Sequence, residues 1–407
     1  MTARRRLTDF LGLHRSMGAL LAMVILVGMG EKLGERFLPI YILALGGTAY
    51  AIGLLNGLDN LLSALYSFPG GYLSDKIGYK HALAVFNLVS MLGYIIVIAV
   101  PTWQAVIVGA FFFISWDALS LPATMSLVAT VLPKQKRTMG VSLHSLIRRI
   151  PMALGPLIGG LLIARYGETT GIRIAFALAL GLAVVALILQ QLLIEHAPTK
   201  NPAEGNPLRL WRFMTPDLRN LLVSDILVRF CEQIPYAFVV VYAMNIVGVS
   251  AVQFGILTTI EMATAVLCYI PVAYFADKSS KKPFVVITFI NFTLFPLVLL
   301  VSHSYAALIV AFIIRGLKEF GEPTRKALIM DLAPEDKKAG MFGMYYLVRD
   351  VIVSIAAFGG AWLWVKSPQT NFLVAAAFGA AGTLYFALFG RDLPTLTPTD
   401  RPQAAGS

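Results

Sequence analysis

Gly71 Tyr72 Leu73 Ser74 Asp75 Lys76 Ile77 Gly78 Tyr79 Lys80 stands between two apolar runs, residues 49–73 and 82–101. About 20 apolar residues suffice for a helix to cross a bilayer, so each run is a membrane span. Between them lie an acid, two lysines and two glycines seven residues apart, the composition of a short polar turn. Gly71 and Gly78 permit close backbone approach, and the Asp75 carboxylate can stabilise a nearby helix N-terminus by charge and hydrogen bonding.

The same alternation recurs along the 407-residue chain. Apolar runs cover residues 17–43, 49–73, 82–101, 103–132, 138–164, 172–194, 219–246, 251–275, 283–302, 304–332, 339–365 and 370–390, which predicts twelve spans. Only 14% of residues are charged and 57% are hydrophobic, against about 25% charged in soluble domains. Mean hydropathy is +0.75. A soluble enzyme is thereby excluded, and so is a porin-like barrel, because the runs are continuous and lack strand alternation. The net charge of +11 comes from short basic clusters between spans, a loop pattern that gives no reason to expect nucleic acid. Cys231 and Cys268 fall inside apolar runs, where neither a disulfide nor a metal site is expected.

A cytoplasmic N-terminus places Arg4, Arg5, Arg6, Lys76, Lys80, Lys134, Lys136, Arg137, Lys278, Lys281 and Lys282 on the inner side. Only Arg165, Arg173 and Lys366 then fall in outer connections, the bias expected when basic loops remain in the cytoplasm. The chain is therefore expected to be multi-pass in the plasma (cytoplasmic) membrane with both termini inside. No small-residue cleavage site follows Met17–Gly30, and Glu31, Lys32, Glu35 and Arg36 interrupt the run, so a retained first helix is expected.

Residues 195–218 form a polar connection that splits the spans six and six. The expected organisation is an N-terminal bundle over 1–194, a cytoplasmic linker over 195–218, a C-terminal bundle over 219–391 and a disordered cytoplasmic tail over 392–407. At an offset near 202, Gly53 meets Gly255, Asp59 meets Glu261, Asp75 meets Asp277, Lys76 meets Lys278 and Asp117 meets Glu319. Such register points to duplicated halves, with a central site where they meet.

Residues 71–80 resemble the GxLxD(R/K)xGxx(R/K) signature of the major facilitator superfamily. The second half repeats it in part over 273–282, keeping Asp277, Lys278 and Lys282 without the glycines. Gly155 Pro156 Leu157 Ile158 Gly159 Gly160 is similar to the end of the GPxxGG signature of the family's antiporters, although Pro151 stands where an upstream glycine belongs. The fourth-helix arginine of many members is replaced by Phe113, whereas its repeat mate Arg315 is present. The resemblance covers residues 15–391 and implies an all-α integral membrane fold, twelve helices in two pseudo-symmetric six-helix bundles, working by alternating access. It also implies that Gly71, Asp75, Lys76, Gly78 and Lys80, with Asp277 and Lys278, form a gating loop that touches no substrate.

The spans carry many charges of both signs. A charge at the bilayer centre costs at least ~2.5–3.5 kcal/mol on insertion scales, so these groups must face a wet cavity or one another. Asp225, Arg229 and Glu232 share a face of the seventh helix, and Arg315, Lys318, Glu319, Glu322 and Arg325 form a stripe along the tenth. By the resemblance, the first, fourth, seventh and tenth helices line the cavity. The substrate-cavity candidates are Glu35, Arg36, Arg148, Arg149, Asp225, Arg229, Glu232, Arg315, Glu319, Glu322, Arg349 and Asp350, with arginines able to clamp a carboxylate or phosphate. Glu31, Asp59 and Asp117 are the proton-coupling candidates; the last two have no basic neighbour on their own helices. Tyr41, Tyr66, Trp116 and Tyr236 could contact substrate or simply pack, and Pro39, Pro122, Pro235 and Pro323 are expected to bend their helices.

These readings converge on a proton-coupled secondary transporter of a small polar, anionic, zwitterionic or amphiphilic solute, exporting it by proton antiport. Uptake by symport, a non-transporting receptor and a membrane enzyme are the alternatives, the last without any nucleotide loop, HExxH pair or nucleophile elbow. The expected partners are the solute, protons and the lipid bilayer, with no cofactor or metal, and the expected state is a monomer.

Overall fold

Water cannot reach the backbone of an apolar run inside a bilayer, so each run must satisfy its own donors and acceptors by coiling. The computed structural model describes residues 15–113, 116, 137–194, 211–276, 280–334 and 338–391, and among them every regular element is helical. The first span comprises Arg15–Gly34, a 3-10 turn Glu35–Phe37 and a short helix Leu38–Ala44. Ala49–Ile77, Tyr79–Ala99 and Trp103–Phe113 follow as the second, third and fourth, and Arg137–Tyr166 and Glu168–Leu193 as the fifth and sixth. The seventh runs Pro216–Gln233, then Phe238–Val241, and ends in a π-helical turn, Tyr242–Ile246. Ala251–Ala276 and Lys282–Leu300 are the eighth and ninth, and the tenth is split into Tyr305–Leu317 and Glu322–Leu332. Lys338–Lys366 and Pro368–Phe389 complete the set. Among the described residues, eight helices are long and apolar enough to cross a membrane.

The boundaries follow local chemistry. Thr215 Oγ1 accepts from the Leu218 amide ahead of Pro216, and Ser304 and Ser367 cap the tenth and twelfth spans in the same way. Gly46 and Gly248 turn the chain at φ of 79° and 82° between the first and second and the seventh and eighth spans. They lie 202 residues apart, so the turn itself is part of the repeat.

Two expectations need correction. Gly71, Asp75 and Lys76 belong to no loop: the second helix continues without interruption to Ile77, and Gly78, at φ 82°, makes the turn before Tyr79. A single residue in the left-handed region reverses the chain, so no longer connection is required. Lys80 Nζ donates to the Gln191 carbonyl and Gln190 Nε2 to the Lys80 carbonyl, at 2.9 and 2.7 Å, tying this corner to the sixth span. The stripe on the tenth span also does not lie on one helix. Residues 318–321 form a turn, because Pro323 has no N–H to continue a helix. Thr288 Oγ1 accepts from the Gly321 amide at 2.6 Å and so satisfies a donor freed by the break.

Pro39, Pro235 and Pro323 all sit at such interruptions, in the first, seventh and tenth spans. Pro122 lies outside the described residues. Within the first half the first span packs on the fifth and sixth; within the second, the seventh packs on the eleventh and twelfth. Among the described residues the two broadest seams between the halves are the second span against the eleventh and the fifth against the eighth. Gly53 and Gly57 meet Ala361 and Phe358 in one seam; Gly160 and Gly255 meet Ala251 and Leu157 in the other. The repeat mates Gly53 and Gly255 therefore occupy equivalent places in the two seams. Above them, towards the face bearing the Gly46 and Gly248 turns, Tyr41, Ile42, Phe238, Tyr242, Phe254 and Phe312 form one buried apolar cluster.

Candidate functional site

The charged side chains gather where the first, seventh and tenth spans break. A helix break exposes backbone groups that only polar partners or water can satisfy, and so breaks in a membrane belong beside a cavity. Two adjoining chambers occupy this level and share Arg36, Asp59, Ser63 and Tyr236 in their walls. The narrower, of ≈ 240 Å³, has an ionic side made by Glu31, Lys32, Glu35, Arg36, Asp59 and Arg315. Its other side is apolar, made by Leu55, Phe113, Phe176, Val239, Val240 and Phe254. The wider chamber, of ≈ 470 Å³, is lined mainly by polar residues and includes Arg148, Arg149, Arg229, Glu232, Lys318, Glu319, Glu322, Lys326, Arg349 and Asp350.

The wider chamber lies towards the face where the first described span begins, at Arg15, and the twelfth ends, at Phe389, here the terminal face. The Lys326, Asp350 and Glu319 side chains there are 48%, 27% and 24% exposed. The opposite end of the cavity is sealed by the apolar cluster, where Tyr41 and Phe238 are fully buried. The molecule is thus open to the terminal face and closed to the other.

Within the second half the ions form a continuous chain. Asp225, 1% exposed, accepts from Arg325, from Arg349 Nη1 at 3.3 Å and from the Tyr345 hydroxyl at 3.0 Å. Arg325 also grips Glu322, with Nη2 to Oε1 at 2.7 Å and Nε to Oε2 at 3.1 Å. Arg229 lies 3.6 Å from Glu322 and donates to Glu232 at 2.5 Å, and Lys318 takes the other Glu232 oxygen at 2.5 Å. Arg349 closes the far end on Asp350 at 2.7 Å, its guanidinium 4.2 Å above the Tyr346 ring. Desolvating so many charges is costly, and only mutual pairing with full hydrogen bonding makes it tolerable.

In the first half, Lys32 sits between Glu31, at 2.9 Å, and Glu35. Polar contacts also cross between the halves: Arg149 to Glu319 at 2.9 Å, Asn56 to the Gln233 carbonyl at 3.1 Å and Asn60 to Gln233 Oε1 at 3.2 Å. Glu261 accepts no hydrogen bond from the described residues at either oxygen, though Arg315 Nε is 3.2 Å away, Lys318 3.9 Å and Arg36 4.0 Å.

All twelve residues chosen from the sequence as cavity candidates belong to this assembly, directly in a chamber wall or, for Asp225, through its ion pairs. Glu31 and Asp59 line the narrow chamber, and Asp59 the wide one too. Asp117, Asp277 and Lys278 lie outside the described residues. Tyr236 reaches both chambers, whereas Tyr41 packs in the sealing cluster, Trp116 in a second apolar cluster, and Tyr66 donates to the Phe111 carbonyl at 3.2 Å. The sequence-based set omitted Glu261, for which its repeat match to Asp59 was a usable signal, and Tyr345 and Tyr346, for which there was none.

The chain matches the model of the Major Facilitator Superfamily twice, over residues 16–223 and 221–406. It is 24% identical over 335 residues to the uncharacterized MFS-type transporter YqjV of Bacillus subtilis, covering 78% of each chain. With the quinolone resistance protein NorA of Staphylococcus aureus it shares 25% identity over 210 residues, 49% of this chain and 53% of that one. A solved POT family transporter in complex with 5-aminolevulinic acid superposes with a TM-score of 0.78 at 15% identity, over 92% of this chain and 96% of the other. The nucleoside transporter NupG gives 0.77 at 14% identity, over 92% and 100%. At such identities these two solved structures establish the fold.

Proposed function

The chain belongs to the Major Facilitator Superfamily and is a multi-pass membrane transporter, not an enzyme; from this we propose that it exports a small charged amphiphile by proton antiport. The observation that carries the reading is the cavity itself: ionisable groups of both signs converge between the halves on a space open to one face only. An interior so rich in carboxylates has sites for protons, and protonation exchanges one set of ion pairs for another. A ligand or proton that binds one arrangement better shifts the population towards it, which is the thermodynamic content of alternating access.

Glu31, Asp59 and Asp117 are the proton carriers in this reading, and the twelve cavity residues hold the solute. The basic loops support a cytoplasmic position for the terminal face in the plasma membrane, so that the arrangement described is inward-open. The ionic and apolar sides of the narrow chamber suit a zwitterionic or anionic amphiphile better than a plain sugar. Export is favoured by the GPxxGG fragment and by the partial match to a quinolone resistance protein. Twelve spans form a complete pathway within one chain, so the working unit in this reading is the monomer.

Proteoliposomes containing the full chain test this directly. With a panel of a fluorescent fluoroquinolone, aromatic carboxylates and neutral sugars, an imposed proton gradient should drive uphill flux of a charged amphiphile in the opposite direction. The triple variant Glu31→Gln, Asp59→Asn, Asp117→Asn should lose that response. Flux that ignores the gradient, a triple variant that retains the response, or movement of neutral sugars alone would overturn the proposal.

A further inference from the structure

Arg36 and Arg315 reach the narrow chamber from the breaks of the first and tenth spans and flank one aromatic ring. Their guanidinium carbons lie 5.2 and 5.5 Å from the centroid of Tyr236. A guanidinium has five N–H donors, and among the described residues neither of these two donates a hydrogen bond. Arg315 is 3% exposed and lines the chamber wall. Facing both is Glu261, 1% exposed, its oxygens likewise without hydrogen bonds, 3.2 Å from Arg315 and 4.0 Å from Arg36. Lys318, the third cation nearby, is engaged by Glu232 at 2.5 Å.

Two guanidiniums therefore share one carboxylate, loosely, at the ring of Tyr236. By contrast Arg149, Arg229, Arg325 and Arg349 are each hydrogen-bonded to an acid. Charged donors that face a cavity without a protein acceptor are suited to a visiting one. We infer that Arg36 and Arg315 form the seat for a carboxylate of the transported solute, with Glu261 as the resident counter-ion that keeps the pair in place while the seat is empty. The planar fork of each arginine matches a carboxylate in two-bond geometry. Phe113, Phe176 and Phe254 in the same chamber receive a compact apolar body attached to that carboxylate. The solute is thus an aryl or branched-alkyl carboxylic acid, its acid group at the ring of Tyr236. The inference rests on the transport reading of this cavity.

The test is calorimetric titration of the full chain in nanodiscs with phenylalkanoates of increasing chain length and with their matched alcohols. At least one acid should bind tenfold or more tighter than its alcohol. Arg36→Gln and Arg315→Gln should each erase that preference, and Glu261→Gln should tighten the acid threefold or more by removing the competing anion. Acids that bind no better than alcohols in the unaltered chain overturn the inference, and that comparison requires no variant to fold. It is equally overturned if folded Arg36→Gln and Arg315→Gln retain the preference, or if folded Glu261→Gln binds acids no more tightly. Failure of proton-driven flux with this binding pattern intact would remove the antiport reading and leave the seat standing.

Discussion

Asp225 is the residue on which the second half's ionic chain turns. One carboxylate, almost fully buried, accepts from Arg325, Arg349 and Tyr345, which come from two other spans. Neutralising it leaves Arg325 with Glu322 alone and Arg349 with Asp350 alone in a low-dielectric interior, and breaking a buried pair on one side typically costs about 3–5 kcal/mol. Asp225→Asn is therefore expected to destabilise the purified protein by about that amount in thermal or denaturant unfolding. Asp350→Asn, at the more exposed end of the chain of ions, should cost no more than about 1 kcal/mol, as surface pairs do. Equal losses in the two variants would show that the network does not depend on its buried centre.

At the scale of elements, the seams govern which face is closed. Gly160 has no room for a side chain, since a Cβ would run into the Ala251 carbonyl of the eighth span, and Gly255 is pressed against the backbone of Leu157. The glycines of the GPxxGG fragment thus do two jobs: Gly155 and Gly159 seat the fifth span on Lys32 and Leu33 of the first, and Gly160 seats it on the other half. Overpacking such a site costs about 1–3 kcal/mol, a 5- to 150-fold change in a two-state equilibrium. Gly160→Val should therefore populate the state open to the opposite face. Val240, 3% exposed in the wall of the narrow chamber, reports on this. A Val240→Cys thiol should resist a membrane-impermeant maleimide from that face and become reactive when Gly160→Val is added; no gain in labelling would count against the seam as the gate.

For the whole molecule, one opening and one seal define a direction. In the proposed orientation the open, terminal face is cytoplasmic, as the basic loops favour. An Asp350→Cys variant, whose position is 27% exposed in the wide chamber, should then be labelled by an impermeant maleimide in inside-out vesicles and spared in right-side-out ones. The reverse pattern would invert the orientation proposed here, and with it the assignment of this arrangement as inward-open.

The number, order and approximate limits of the spans were legible from the chain alone, because the bilayer demands long apolar runs and punctuates them with charge. The duplication was legible too, in pairs such as Gly53 with Gly255 and Asp59 with Glu261, and so was the set of interior ions, which stand out against an apolar background. Pairing was not. Whether Arg325 meets Asp225 or Glu319 meets Arg149 depends on how far each break rotates the chain beyond it and on which spans face across the cavity. The helix running through Gly71, Asp75 and Lys76 to Ile77, and the turn at residues 318–321, were likewise decided by packing and by donors such as Thr288 to which local composition is indifferent. Residue type determined that charge would be buried in this membrane protein; only the tertiary arrangement decided that Arg36 and Arg315 would be left short of partners, because hydrogen bonding is a matter of distance and angle between spans far apart in sequence.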